Sequence, residues 1–391
     1  MNNKFDTIIV GAGIAGLLTA IRLSQHGQKV LIVEREKVGS GATSSNHGMI
    51  HSGALFVRHH GHIVQKCQEA QKLFLNLVPE AEIKTKMSVY ISSEKNTNEF
   101  IELLENYGLK YERISAGKVF EIKPQFSIRY EYLGIKERIF SSAMILEILT
   151  SYCLVNKVEF LLGNKISKIL KENHRVIGVE TGRNHISARN VIIATGLGTP
   201  QLLESFNSYY GQFLRSRLDM MVYLPNANLA RGLVFAQINR PVIMPAKVNG
   251  ALASFFGGKQ PPINGDRKYA VDFDNARLLL KMIGLFFNKE IVSVENAYFY
   301  MSGKTDYVGN EHTEKGFINP GFHIIDHAKF DRVKNLYTIA TGKMVLAFHA
   351  SKAVADLVLG VNLDLTINES SKVTPPDDMF AVEPWASTDK I

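Results

Sequence analysis

With 391 residues, 46% of them hydrophobic and 21% charged, the chain can bury two sizeable cores and is neither disordered nor fibrous in composition. Its formal net charge of +8 favours anionic partners, but the lysines are scattered and form no basic stripe with interleaved aromatics, so nucleic-acid binding is not expected. Only Cys67 and Cys153 are present, too few for a disulfide scaffold or an iron–sulfur site. No apolar run approaches the roughly 20 residues that span a bilayer, and no basic-then-apolar leader opens the chain, so the expected setting is cytoplasmic.

The first element is the most informative. Asp6-Thr7-Ile8-Ile9-Val10 reads as an apolar strand running into Gly11-Ala12-Gly13-Ile14-Ala15-Gly16, followed by helical spacing of Ile14, Leu17, Leu18 and Ile21 up to Gly27. Lys29–Val33 reads as a second strand, with Glu34 and Arg35 at its carboxyl end. Strand, GxGxxG, helix, strand and acid in that order form a dinucleotide-binding unit. Gly11 permits the tight turn and Gly13 lets the backbone approach a pyrophosphate. Gly16 lets helix and strand pack closely, while the amides of Ile14 and Ala15 face the phosphates. Glu34 suits the hydroxyls of an adenosine ribose and repels a 2′-phosphate. At this point the dinucleotide is NAD or FAD.

The next stretch is small and hydroxyl-rich: Gly39-Ser40-Gly41-Ala42-Thr43-Ser44-Ser45-Asn46-His47-Gly48-Met49-Ile50-His51-Ser52-Gly53-Ala54. Its elements Gly41-Ala42-Thr43, Asn46-His47-Gly48 and His51-Ser52-Gly53-Ala54 resemble the FAD-dependent glycerol-3-phosphate dehydrogenase group of the D-amino-acid-oxidase-like superfamily, above all the large subunit of the anaerobic enzyme. L-2-hydroxyglutarate dehydrogenases are similar around His51-Ser52-Gly53. The resemblance is specific over residues 5–70 and weaker to about residue 360. It implies FAD as cofactor, held by the residues above and by Gly41, Ala42, Thr43, Ser44, Asn46, His47, Gly48 and Ile50.

Further along, Met87–Ser92 and Val242–Phe256 have strand character, Met144–Val155 and Phe273–Phe287 have helical spacing, and residues 156–193 read as a β-meander. Asn190–Gly196 is a buried strand ending in Ala194, Thr195 and Gly196. Asn335–Lys343 is another, followed by Met344, Val345 and a helix over Ala350–Leu359. In the family the turn at Gly342, Lys343, Met344 and Val345 meets the flavin. Nucleotide-binding pieces thus lie far apart in sequence, and the expected fold is α/β: a discontinuous Rossmann-like FAD domain (1–82, 140–220 and 330–365) and an α+β substrate domain on a mixed or antiparallel sheet (83–139 and 221–329). Residues 366–391, with Pro375-Pro376 and Pro384-Trp385, are expected to be extended or partly disordered.

Removing a hydride from a C–OH or C–N carbon is easier when a base takes the attached proton, and histidine suits that task near neutrality. Five of the twelve histidines lie within residues 47–62. His51 is the first candidate for base or substrate orienter and His47 the second; each also suits a purely structural hydrogen bond to the loop or cofactor, and for His47 that is the favoured reading. His59-His60-Gly61-His62 lacks the companion ligands of a zinc site, and no metal is expected. Lys343 matches a family lysine near flavin and substrate, where a cation stabilises negative charge on the reduced ring. The departures concern phosphate: Leu55-Phe56, Ala297-Tyr298-Phe299-Tyr300 and Met344–Phe348 stand where the resemblance leads one to expect arginines, so glycerol 3-phosphate is disfavoured. Arg58, Arg215 and Arg217 are alternative carboxylate binders. The expected activity is oxidation of a C–OH bond in a small hydroxy acid or substituted alcohol, a substrate that can be anionic, with oxygen, a quinone or a partner protein as electron acceptor. An amine or amino-acid oxidase is the alternative among enzymes. A flavin-carrying subunit of an electron-transfer complex, inactive alone, is the alternative of another kind.

Overall fold

Strand Lys4–Val10 buries Ile8, Ile9 and Val10 together, the all-apolar pattern of a strand covered on both faces of a parallel sheet. In the computed structural model, which describes residues 4–127, 129–182, 184–236, 240–246, 250–255, 271–292, 294–309, 321–362, 365 and 373–387, the chain divides into two units. Unit 1 comprises Met1–Ser44, Ala143–Arg217 and Gly303–Val382; unit 2 comprises Ser45–Ser142, Leu218–Ser302 and Glu383–Ile391.

In unit 1, Lys4–Val10 lies between two parallel neighbours, Val30–Val33 and Asn184–Ile193. Glu159–Leu161 extends the sheet beyond Val30–Val33, and Leu336–Thr341 pairs in parallel with the end of Asn184–Ile193. Antiparallel strands Ile166–Glu172 and Arg175–Thr181 form the meander on Asn184–Ile193, while Phe322–Asp326 runs antiparallel to Leu336–Thr341. Near their carboxyl ends the parallel strands therefore bring Val10, Val33, Ile193 and Thr338 level, at the edge where open α/β sheets bind ligands. Helix Ile14–Gln25 packs against helix Ala347–Leu359, joined by a buried bond from Arg22 Nε to Ser351 Oγ (3.1 Å).

Most of an eight-stranded sheet lies in unit 2, in the order Tyr298–Tyr307, Leu214–Pro225, Gly250–Phe255, Val242–Ala246, Leu233–Phe235, Ser88–Ser93, Tyr130–Ile135, Tyr111–Ile114. From Leu214–Pro225 to Tyr111–Ile114 its pairings are antiparallel except for Leu233–Phe235 against Ser88–Ser93. Side chains alternate between its faces. Val89, Met220, Val222, Leu224, Ala253 and Phe299 join Ala276, Leu279 and Ile283 of helix Phe273–Phe286 in one core. On the opposite face Tyr90, Val234 and Met244 pack with Met49, Ala54, Val57 and Val64, and Met221, Leu252 and Tyr300 form a smaller cluster. A three-stranded sheet of Met49–Ile50, Arg138–Phe140 and Glu82–Ile83 completes the unit.

These units differ from the expected division most extensively in three places. Residues 45–82, expected with the nucleotide-binding unit, belong to unit 2, because Met49–Ile50 pairs with Arg138–Phe140 and the following apolar residues pack on Tyr90. The described part of 303–329 belongs to unit 1, because Phe322–Asp326 is an edge strand of its sheet. In the tail, 366–372 and 388–391 lie outside the described residues. Residues 373–382 belong to unit 1, where Phe380 bridges to Val38 and Val38 N donates to Met379 O (2.9 Å); this part contains a 3-10 turn at Asp377–Met379 and is held against the unit. Among the described residues no helix is long and apolar enough to cross a membrane.

Candidate active site

The loop after Lys4–Val10 is set by glycines the backbone cannot exchange. Gly11 has φ 113°, and a Cβ there would lie 2.5 Å from the Ala194 carbonyl oxygen; one on Gly16 would lie 2.1 Å from Gly11 O. A Cβ on Gly13 would meet only Thr43 Oγ1, at 3.2 Å, so Gly13 keeps the loop open to a close ligand. Helix Ile14–Gln25 starts here without an acidic residue in its first turn, which leaves the positive end of its dipole for an anion. Thr43 Oγ1 accepts from Ile14 N (3.2 Å) and Ser44 Oγ donates to Gly39 O (2.6 Å), which brings Gly41–Ser44 to the helix start. At the end of the neighbouring strand, Glu34 accepts from Ala12 N and from Glu36 N, both at 3.0 Å, one on each carboxylate oxygen. Each oxygen keeps acceptor capacity for a ribose hydroxyl. This donor and cradle set fits the pyrophosphate and adenosine ribose of FAD.

The other unit 1 residues cluster on the same edge. Ala194 N donates to Val10 O (2.8 Å), Thr195 Oγ1 bonds Thr199 Oγ1 (2.9 Å), and Gly196 takes φ 53°. A Cβ on Gly198 would be 4.0 Å from Arg35 Nη1, which places the guanidinium beside this turn. Gly342 is forced by a side chain: its Cβ would fall 1.6 Å from Asp306 Oδ1. Asp306 Oδ2 accepts from Arg217 Nε (3.1 Å) in a buried ion pair. Lys343 follows in extended conformation, half-buried, then half-buried Met344 and buried Val345.

In unit 2, residues 45–54 form a tightly bonded loop. Ser45 Oγ meets Ser302 Oγ at 2.8 Å, and Asn46 Oδ1 accepts from Gly48 N (2.6 Å). Gly48 has φ 73° with the Phe140 carbonyl 2.2 Å from where a Cβ would stand. His47 Nδ1 accepts from Met49 N (3.3 Å), a bond inside the loop. Ile50 is fully buried and its carbonyl accepts from Gln71 Nε2 (2.8 Å). His51 is 8% exposed, its ring 5.0 Å from that of Phe56. Ser52 is gripped by Glu137, which takes its N–H (2.5 Å) and its hydroxyl (2.7 Å), and Glu137 also accepts from Tyr90 Oη (2.6 Å) and Gln71 Nε2 (3.3 Å). Burial pushes the Glu137 carboxyl above its usual range, against the lowering effect of the bonds from Tyr90 and Ser52.

Glu137, Gln71 and Tyr90 were invisible in the sequence, where Glu137 reads as a turn charge between strands. Asp306 was missed too, although a lone acid in an otherwise uncharged run after Lys304 is a weak sign of burial with a partner. Two of the arginines considered as substrate binders serve the fold: Arg58 Nη1 donates to Glu99 Oε2 (2.8 Å), and Arg217 holds Asp306. His59 and His62 are exposed, and among the described residues no group of three or more His, Cys, Asp or Glu is placed to hold a metal.

The comparisons with known proteins agree with this geometry. The family model described as FAD dependent oxidoreductase (DAO) matches residues 6–355. One of the subunits of the anaerobic glycerol-3-phosphate dehydrogenase of Escherichia coli K12 is 20% identical over 356 residues, 87% of this chain and 64% of that protein, so the chain spans under two thirds of that relative's length. Among solved structures, glycine oxidase from Geobacillus kaustophilus has TM-score 0.74 at 17% identity, covering 96% of this chain and 100% of that one. Glycerol-3-phosphate dehydrogenase from Bacillus halodurans, complexed with FAD, has TM-score 0.65 at 14% identity, covering 93% and 66%. These structural likenesses speak for the fold. With a match over most of its length and a loop cradle that fits the cofactor, the chain belongs to the DAO family of FAD-dependent oxidoreductases and is a flavoenzyme.

Proposed function

We infer that this enzyme oxidises a C–OH bond of a small hydroxy acid or substituted alcohol. The observation that carries the reading is His51: a buried imidazole in a loop clamped by Glu137, in the stretch that resembles the flavin-facing loop of hydroxyl-oxidising relatives. FAD, when bound, supplies the acceptor for the hydride. An alcohol holds its proton tightly, so its C–H becomes a good hydride donor only as a base removes that proton. His51 takes it. An amine, by contrast, loses its extra proton to solvent and enters neutral, with less need of a buried base.

His47 is assigned the supporting role, because its Nδ1 is already used to fix Met49. Lys343 provides positive charge beside Gly342, and the amides at Gly13–Gly16 with Glu34 hold the dinucleotide. Glycerol 3-phosphate is disfavoured as substrate, since Leu55, Phe56 and Tyr298–Tyr300 supply no cation. A cytoplasmic setting is supported by two buried free thiols, Cys67 and Cys153. The Escherichia coli relative, being one component of a larger enzyme, supports a second reading, in which a partner protein rather than oxygen or a quinone takes the electrons.

The test is anaerobic bleaching of the flavin by hydroxy acids, alcohols, polyol phosphates, amino acids and amines. Bleaching by a hydroxyl compound, slowed about 100-fold in His51→Ala with FAD retained, is the expected result. Bleaching by amines alone would transfer the enzyme to C–N oxidation.

A further inference from the structure

Alternation along Tyr298–Tyr307 sends Phe299 to the face covered by helix Phe273–Phe286 and Tyr298, Tyr300 and Ser302 to the other. Ser302 Oγ lies 2.8 Å from Ser45 Oγ, at the start of the loop that carries His47 and His51. The Tyr300 face of the unit 2 sheet is therefore the face on which that loop lies.

Tyr300 is 4% exposed, and its hydroxyl, fully buried, has no hydrogen-bond partner among the described residues. A buried hydroxyl without a partner costs about 1–3 kcal/mol, and proteins retain few such groups without a reason. Burial, and then the Glu383 carboxylate, push this phenol far above its usual range, so it stays protonated and can donate. Met221 and Leu252 flank it. Tyr223 stands alongside, its ring laid over Gly250, where a Cβ would come within 2.7 Å. Trp385 covers the group: its ring stacks on Tyr223 at 5.2 Å and 22° and lies 5.9 Å from Tyr300. It stands on the short turn Pro384–Ser387, outside the sheet ladder.

We propose that Tyr300 is a specificity-determining residue: its hydroxyl donates to an oxygen of the substrate, whose aromatic or branched apolar body lies against Tyr223 and Met221 once Trp385 moves aside. The substrate class is then an apolar-bodied alcohol or hydroxy acid rather than a small, strongly anionic one. This deepens the C–OH reading and depends on it for the reaction, but not for the binding.

Trp385 is the single tryptophan of the chain, so its emission reports this one place. The FAD-loaded full chain is titrated anaerobically with 3-phenyllactate and with lactate, and tryptophan emission and flavin absorbance are read separately. A saturable emission change is expected with 3-phenyllactate and a much weaker one with lactate. Tyr300→Phe should bind 3-phenyllactate about fivefold more weakly, with FAD content unchanged. Its thermal stability should equal or exceed that of the wild type, because the lost hydroxyl has no partner among the described residues; weakened binding therefore cannot be laid to misfolding. Unaltered binding by Tyr300→Phe, or an emission that neither compound moves, overturns the proposal. Saturating emission without flavin bleaching would uphold the site and sink the C–OH reading; bleaching without an emission change would do the reverse.

Discussion

Glu137 accepts both the backbone N–H of Ser52 (2.5 Å) and the hydroxyl of the same residue (2.7 Å), from a position 85 residues away in sequence. One buried carboxylate thus fixes the residue that follows His51, while Gln71 ties the carbonyl of Ile50 on the other side. The histidine is held through its neighbours, which is how a loop side chain attains the precision of one on a rigid strand.

Removing that carboxylate should be costly. Glu137→Ala leaves the donors of Ser52, Tyr90 and Gln71 without their acceptor in a dry site, and a loss of about 3 kcal/mol is expected in denaturant unfolding. Glu137→Gln keeps an acceptor for Ser52 N–H and should recover most of it. If Glu137 positions His51, flavin reduction falls in the alanine variant and returns with glutamine while FAD stays bound. Equal reduction rates in all three proteins would confine Glu137 to stability.

The same group predicts a pH dependence. Its folded-state pKa is raised above the ordinary 4.5, so between that value and the raised one the folded state holds a proton that the unfolded state has lost. Its contribution to stability is therefore fully present below 4.5 and is lost as pH rises through the folded pKa. Unfolding free energies of wild type and Glu137→Gln, measured across this window, should show a downward slope in the wild type that the variant lacks.

The glycines divide into two kinds. Gly16→Ala places a methyl 2.1 Å from the Gly11 carbonyl and should empty the protein of FAD, read as loss of the yellow colour on purification. Gly284, inside helix Phe273–Phe286, has nothing within 4 Å of its missing Cβ. Gly284→Ala should raise stability by about 0.5–1 kcal/mol and leave FAD in place. A yellow Gly16→Ala would move the pyrophosphate away from this turn.

Gly342→Ala tests the buried ion pair. The new methyl would stand where Asp306 Oδ1 now lies, 1.6 Å from the Cβ, and so would push Asp306 off Arg217. Breaking a buried pair of this kind costs about 3–5 kcal/mol. A correspondingly lower unfolding midpoint is expected, and a variant as stable as the wild type would show that Asp306 is free to swing away.

By itself the sequence determined the nucleotide-binding half of this protein. The order Val10-Gly11-Ala12-Gly13, Gly16 and Glu34 is local chemistry: a strand, a turn only glycine can make, a helix start and an acid, all within reach of one βαβ unit. The terminal pieces at Ala194 and Gly342 were also legible, since a buried strand ending in small residues has its own local pattern. What only the tertiary structure decided is what surrounds the candidate site residues. Glu137 meets Ser52, Asp306 meets Gly342 and Trp385 meets Tyr223 across long separations in sequence, and burial alone turns a turn-like glutamate into a clamp and a tail tryptophan into a cover. Such partners carry no periodic signal, because a single charge or ring acquires its role from the low-dielectric place the fold gives it.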